Sequence, residues 1–582
     1  MQKRTARLHA YLARHRGGLA WGVACVLIAN AIVVAQPQVL RFAVDDLYQG
    51  VTAQKLGRYA LTLFGVALLG GIFKYFMRQV VIGISRRIEY DLRNDLFEHL
   101  QRLPASYYQD TRIGEIMARA TNDMSAVRMM MGPGIMYFVN TVAVGVASIV
   151  LMFAISPRVT FYTLLPLPLV SFSVWFFGER IHRRFESIQA HFARIAAHVQ
   201  ENLSGLRVVR AFALERVQHA DFLRLNREYL DRNVALIRTS GAFYPALSFL
   251  SGVAALLALF LGGREVIKDR ISLGEFVAFT WYLGMLNWPV VALGWVISLW
   301  QRGLASWGRI DEILSADASI RTAPNARKPE GRASGEIVIR NLTFTYPGAR
   351  EPALSNLSLD VPAGSTLAIV GRTGSGKSSL IQLLPRVFDA PRGTVFLDGI
   401  DVLDLDLQWL RAQIAYVPQE TFLFSATLAE NVAFGVDHAT AAEIERVGAI
   451  AHLSPDVERF PKRWETRVGE RGITLSGGQK QRTAIARALL RDSPVLLLDD
   501  CLSSVDTHTE HEILHGLEGE MRKRTALIVS HRVSAVRDAD EIVVLDHGAV
   551  VERGTHDALL TRGGRYAELQ RVEQLEEEIE AS

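Results

Sequence analysis

The chain has 582 residues, 49% of them apolar and 21% charged, with a formal net charge of +4. That length exceeds one small domain and is ample for two or three cores. The composition excludes a disordered chain, a collagen and a disulfide scaffold; the two cysteines, Cys25 and Cys501, lie far apart and form no metal cluster.

The small net charge is a sum of unlike parts. Residues 1–310 hold 34 Lys+Arg and 19 Asp+Glu, a net of +15. Residues 311–582 hold 30 and 41, a net of −11. Such a split predicts two units of different character.

Six stretches of the first part lack Asp, Glu, Lys and Arg: 17–40, 59–73, 129–157, 159–178, 239–263 and 276–301. A helix needs about 20 apolar residues to cross the ~30 Å core of a bilayer. Five of the six stretches reach that length. The second, extended over Leu61–Ile84, reaches it if Lys74 and Arg78 are tolerated on one face. Six transmembrane helices are therefore predicted, near 17–40, 59–83, 133–154, 159–179, 241–263 and 275–300. A soluble core seldom uses six such runs, because a globular helix keeps a wet face. The predicted membrane domain is 1–310.

Lys3, Arg4, Arg7, Arg14 and Arg16 place the N-terminus on the cytoplasmic side. Short links near Asp45–Arg58, Ser156–Arg158 and Arg264–Arg270 then lie outside, and the long charged segments 84–132 and 180–240 lie inside. Both long segments read as amphipathic continuations of the helices, so the helices should run far into the cytoplasm. Trp281, Trp288 and Trp295 recur every seven residues and predict one helix face, a candidate wall for an amphipathic or aromatic substrate. Pro289 is placed to kink that helix. Lys74, ionisable at membrane depth, is a further candidate for the substrate cavity.

Residues 311–335 read as a linker, with Pro324, Pro329 and Gly331. Beyond it, over 336–582, short β-branched runs alternate with helical stretches, which predicts an α/β domain with a largely parallel sheet. Gly371-Arg372-Thr373-Gly374-Ser375-Gly376-Lys377-Ser378 fits G-x-x-x-x-G-K-[ST]. A strand-like run, Leu367–Val370, precedes it, and a helix-like run from Ser379 follows. Its glycines allow backbone N–H groups to wrap phosphates, Lys377 should reach the β/γ-phosphates, and Ser378 should bind Mg²⁺. The apolar run Val495–Leu498 ends in Asp499 and Asp500. A carboxylate at the C-terminal end of such a strand is placed to hold Mg²⁺, and Asp499 is that candidate. Between these motifs lies Leu475-Ser476-Gly477-Gly478-Gln479, a tight loop able to open a helix toward another phosphate.

With these motifs in this order, nearly the whole chain resembles the ATP-binding cassette (ABC) transporter family, specifically exporter half-transporters with six membrane helices fused to one cassette. The resemblance implies a role for each matching residue. Tyr346, in Phe344-Thr345-Tyr346-Pro347, would stack on the adenine of ATP. Gln419 would contact Mg²⁺ or the attacking water. Glu470 would touch the intracellular helices, Asp506 would lie in the loop crossing between cassettes, and His531 would contact the γ-phosphate. Tyr107–Asp123 and Glu201–Glu215 resemble the two intracellular loops. The resemblance further implies a dimer that buries ATP between the phosphate loop of one cassette and the Leu475–Gln479 signature of the other. Binding closes the pair, hydrolysis reopens it, and the helices alternate between inward and outward access.

The chain departs from the family pattern at one place. Glu, general base or water-positioning group, usually follows the Mg²⁺ aspartate; here it is Asp500. One methylene less withdraws the carboxylate by about one C–C bond, ~1.5 Å. A misplacement of ~1 Å can slow a reaction on the order of 100-fold. The departure resembles the degenerate-site subunit of heterodimeric multidrug or lipid exporters. The expected assembly is a heterodimer with a second half-transporter that carries Glu, exporting hydrophobic or amphipathic drugs or lipids across the cytoplasmic membrane. A homodimeric lipid flippase is the alternative within the class, and an ATP-gated channel or regulator is the alternative outside it.

Overall fold

The computed structural model describes the chain apart from residues 1, 51, 470, 471, 473, 506 and 582. Glu470 and Asp506, both predicted for coupling, thus lie outside the described residues. The chain divides into two compact units, Met1–Leu100 with Ile113–Ala316, and Gln101–Arg112 with Asp317–Ser582.

The first unit is helical. Six helices are long and apolar enough to cross a membrane: Arg16–Tyr48, Ala53–Arg102, Ile113–Ile155, Pro157–Ser204, Glu215–Ile267 and Leu273–Ser315. They outrun the charge-free stretches because amphipathic turns continue them past the apolar window. Two are interrupted. The fourth breaks after Leu164 and resumes at Leu167, and the sixth breaks at Leu286. Proline explains both sites: Pro166, Pro168 and Pro289 each lack the N–H that would continue the ladder. The break at Leu286 falls between Trp281 and Trp288, so the predicted tryptophan face is not one uninterrupted helix face.

Before the first span, a separate helix Gln2–Arg14 is tied to its neighbours by polar contacts. Tyr11 Oη donates to Asp95 Oδ2 at 2.5 Å, His15 Nε2 lies 3.1 Å from Asp91 Oδ2, and Arg7 Nη1 donates to Asp311 Oδ1 at 2.9 Å. On the opposite side, Asp45 accepts from Ser272 Oγ and from Gly274 N, both at 2.7 Å, and so fixes the start of the sixth span. That closeness needs glycine: a Cβ at Gly274 would lie 2.1 Å from Arg41 O.

The second unit holds two sheets. We number its strands β1 (Ile337–Phe344), β2 (Leu354–Val361), β3 (Thr366–Val370), β4 (Val395–Leu397), β5 (Ile400–Asp401), β6 (Ile414–Val417), β7 (Val495–Asp499), β8 (Thr525–Val529), β9 (Glu541–Asp546) and β10 (Ala549–Gly554). A four-stranded antiparallel sheet has the order β2-β1-β4-β5. A six-stranded sheet has the order β10-β9-β3-β8-β7-β6 and is parallel except for the β9–β10 pair. Alternate residues of its strands feed two cores: Ala368 and Val370 enter one, Leu367 and Ile369 the other. Burial on both faces explains the unbroken apolar runs. The stretch predicted as a linker divides: 311–315 complete the sixth span's helix, while Arg327 bonds to Asp404 O and to Asp406 N within the second unit. The short helix Ala105–Asp110, from the first intracellular loop, also belongs to this unit, and Ala105 packs on its second core.

Gly274→Val is expected to destabilise the protein by about 2 kcal/mol through overpacking against backbone. Gly71→Val, with nothing within 4 Å of its Cβ, serves as the control. Thermal denaturation of the full chain in detergent distinguishes them; equal midpoints contradict the close-approach account.

Candidate nucleotide site

Four neighbouring parallel strands deliver the site. In the sheet β3, β8, β7 and β6 are adjacent, and each ends at the same edge. β3 runs into Gly371, β8 into Ser530 and His531, β7 into Asp499 and Asp500, and β6 into Pro418 and Gln419. Motifs spaced over more than a hundred residues thereby converge.

The phosphate loop Gly371–Ser378 joins β3 to the helix Lys377–Leu383. Gly374 and Gly376 have φ of +84° and +97°, the left-handed region open to glycine. Lys377 Nζ donates to Gly371 O at 2.7 Å and to Arg372 O at 2.9 Å. No ion-pair partner of Lys377 is found among the described residues. Burial lowers its pKa, opposed by the charges of Asp500 and Asp499. Ser375 Oγ is buried and has no hydrogen-bond partner among the described residues. A half-buried ammonium held only by carbonyls of a glycine cradle calls for an anion, and polyphosphate fits.

Ser378 Oγ donates to Asp499 Oδ1 at 2.8 Å. Asp499 is 1% exposed, and burial raises its pKa, countered by the Ser378 bond. Tyr416 Oη donates to its other oxygen at 3.5 Å. One hydroxyl and one carboxylate, with further positions left to phosphate and water, suit Mg²⁺, which keeps several non-protein ligands.

Asp500 begins the turn after β7 with a φ of +47°, which an Asp tolerates better than most residues. His531 Nδ1 donates to its Oδ1 at 2.8 Å, and Gln419 Nε2 donates to its Oδ2 at 3.4 Å. Both carboxylate oxygens are thus engaged by the other two residues predicted to act beside it. The hydrogen bond to Asp500 raises the His531 pKa, with burial opposing. Gln419 contacts Asp500 and makes no hydrogen bond to Asp499 or Ser378 among the described residues.

Tyr346 is anchored beside the loop. Its Oη donates to Ser379 Oγ at 2.8 Å, and its ring packs edge-on against Phe388 at 5.0 Å. Arg372, Thr373 and Gly374 are exposed.

The signature stands elsewhere. Ser476 caps the helix Gly477–Leu490 in a reciprocal box: Ser476 Oγ accepts from Gln479 N, and Gln479 Oε1 accepts from Ser476 N. Gln479 Nε2 also donates to Asp456 Oδ1 at 2.9 Å. Leu475 and Gly478 are buried, whereas Ser476 and Gly477 are exposed. Gly478 is needed because a Cβ would lie 3.1 Å from Ser504 O. Among the described residues, no hydrogen bond links Leu475–Gln479 to Gly371–Ser379. Sequence reasoning missed Gln481, two residues on, which exchanges hydrogen bonds with Ser503 and Ser504.

Residues 19–290 match the ABC transporter transmembrane region, and residues 354–503 match the ABC transporter cassette. The chain belongs to the ABC transporter family. It is 37% identical to the multidrug resistance-like ATP-binding protein MdlA of Escherichia coli, over 98% of this chain and 97% of that protein. It is 32% identical to the ATP-dependent lipid A-core flippase of Vibrio vulnificus, over 97% of each. A solved bacterial Atm1-family ABC exporter with ATP bound superimposes with a TM-score of 0.77 at 28% identity, over 96% of this chain and 98% of that one. This ABC exporter is a multi-pass membrane protein that couples ATP hydrolysis to transport.

In the membrane unit, Lys74, Trp281, Trp288 and Trp295 are all exposed, and Trp295 also packs edge-on against Tyr137 at 4.9 Å. A cavity of about 160 Å³ opens beside the breaks of the fourth and sixth spans. Ser251, Thr280 and Asn287 are its polar lining, and none of the three tryptophans lines it.

His531 holds its proton to higher pH because Asp500 faces it. Asp500→Asn removes that charge, so the step that His531 contributes to the pH dependence of ATP affinity is expected at lower pH. Titration of ATP binding to the full chain measures it; a step that stays or moves up contradicts the pairing.

Proposed function

We propose that the protein is one half of a heterodimeric ABC exporter of hydrophobic or amphipathic compounds, drugs or lipids, and that its own ATP site hydrolyses slowly. One observation carries this reading: Asp500, a methylene shorter than the usual Glu, has both oxygens engaged by His531 and Gln419. A carboxylate so held cannot advance to recover the ~1.5 Å that one C–C bond removes. The membrane is the cytoplasmic one, with the N-terminus and the cassette on the cytoplasmic side.

Each residue then has a task. Lys377 and the loop amides hold the β/γ-phosphates, and Tyr346 supports the adenine. Ser378 and Asp499 hold Mg²⁺, which when bound draws charge from the phosphate oxygens. Asp500 accepts the proton of the attacking water, from too far back. His531 faces the terminal phosphate and keeps Asp500 in place. Ser476–Gln479 close over the phosphate loop of the partner, whose Glu supplies the fast site. The intracellular loops pass closure to the helices, with Glu470 assigned to the cassette loop that touches them and Asp506 to the loop that crosses between cassettes. The names of the E. coli and Vibrio relatives support drug-like and lipid substrates respectively.

The full chain purified alone in lipid nanodiscs is expected to turn over ATP slowly, and Asp500→Glu to raise the rate by on the order of 10- to 100-fold. Brisk, substrate-stimulated turnover by the unmodified homodimer would sink the heterodimer reading, and a fall with Asp500→Glu would sink the weak-base reading. Trp288→Ala is expected to change the transport of bulky substrates with the fold intact. Export kinetics unchanged across a panel of drugs and lipids would remove Trp288 from the substrate path.

A further inference from the structure

The turn that follows His531 carries buried amide groups with no partner in the sheet. Val533 is 3% exposed, yet its N–H finds no backbone acceptor among the described residues. A buried N–H left unpaired is destabilising, so an acceptor from elsewhere is required. The helix Arg565–Ala581 provides it. Glu573 Oε2 accepts from Val533 N at 2.6 Å, and Oε1 accepts from Ser534 N at 3.3 Å and from Ser534 Oγ at 2.7 Å. One carboxylate thus caps the turn with three hydrogen bonds.

The helix is rigidly seated. Tyr566 is fully buried, its hydroxyl lies 2.8 Å from His556 Nδ1, and its N–H donates to Glu552 at 3.1 Å. Leu569 packs on the same core. Tyr566, Leu569 and Glu573 stand at i, i+3 and i+7, one face of a helix. The apolar pair docks the helix and the third position meets the turn. From the other flank, Glu510 pairs with Arg532 and lies 3.5 Å from Ser534 Oγ. Arg532 N donates to Ser530 Oγ at 2.9 Å, which completes a fixed frame around His531. The same helix sends Glu568 to Arg372 of the phosphate loop at 3.1 Å, an exposed pair and therefore a weak contact.

We infer that Glu573 is a positioning residue for His531: by capping Val533 and Ser534 it fixes the height of the His531 imidazole over the phosphate loop, and so the preference for ATP over ADP. The inference rests on His531 facing the terminal phosphate, as proposed above. It does not depend on how fast Asp500 works or on which subunit is the partner.

The test is equilibrium binding of ATP and of ADP to the full chain in nanodiscs, with Mg²⁺, alongside thermal denaturation. Glu573→Ala is expected to lower the ATP:ADP affinity ratio about tenfold, equivalent to ~1.4 kcal/mol, with ADP affinity little changed. Glu573→Gln keeps one acceptor oxygen and is expected to recover most of the ratio. His531→Ala is expected to lower the ratio as much, and the double variant no further. A Glu573→Ala protein that is less heat-stable but keeps its ratio, while His531→Ala loses it, overturns the positioning role and leaves the site reading standing. Should His531→Ala also keep the ratio, the premise that His531 faces the terminal phosphate fails with it. Full loss with Glu573→Gln, equal to that with Ala, overturns the capping account.

Discussion

The parallel register of β3, β8, β7 and β6 is the constraint on which the site depends. Ile369 pairs with Val529, Asp499 with Val529, and Val417 with Leu498, so the ends of four strands stand level to within one residue. Parallel strands require crossovers, which is why each strand returns with its C-terminal end at the same edge. Both faces of the sheet are buried, and a slip of one residue would move side chains from one core to the other. The register is therefore fixed by packing on both sides. The phosphate loop, the paired aspartates, His531 and Gln419 inherit their mutual geometry from it. None of these groups could be placed to within an ångström by local propensity alone.

Features with a local physical cause were legible in the sequence. The six spans follow from gaps in charge, because lipid penalises every charged residue in the same way. Lys377 and Ser378 follow from a glycine spacing that only a phosphate cradle requires. What was not legible depends on contacts between residues far apart. Tyr11 and Asp95, Arg7 and Asp311, and Glu573 with Val533 each carry no mark in their own neighbourhood. Glu573 in particular lies in an acidic C-terminal run that reads as a solvated face. The tryptophan spacing suggested one helix face, but it could not foresee the break at Leu286, where Pro289 removes a donor one turn on. Likewise the helix Ala105–Asp110 is contiguous with the membrane helices in the chain, yet it clusters with the nucleotide unit, where Ala105 packs against the core. Chain continuity and packing assign it to different units, as a mechanical link between them would require.

Asp500 keeps the backbone geometry of the site while shortening its carboxylate. Its left-handed φ is set by the turn after β7, and its N–H continues the ladder by donating to Val529 O at 2.9 Å. The N–H bond does not depend on the length of the side chain, and Asp accommodates the φ better than most residues. Exchange of Glu for Asp at this point therefore leaves the strand, the turn and the neighbouring Asp499 as they are. Its effect falls on the distance between a carboxylate and a water. The exchange is thus structurally mild and chemically large, the combination expected where nucleotide binding is kept and turnover is given up.

The signature helix completes the argument for asymmetry. Its buried residues, Leu475 and Gly478, fasten it to its own chain, and its exposed ones, Ser476 and Gly477, are left for another. Gln479 is held by Asp456, and Gln481 by Ser503 and Ser504; Ser503 Oγ in turn donates to the backbone carbonyl of Asp500, which is the same whichever carboxylate side chain stands there. A subunit can consequently lose speed at its own phosphate loop while remaining fully able to cover its partner's. In a homodimer both sites would carry the same slow base, and closure would seldom be undone by hydrolysis. In a heterodimer one site can reset the cycle while the other prolongs closure. The intact signature beside the shortened base fits the second arrangement, which is why the pairing is proposed rather than a uniformly slow pump.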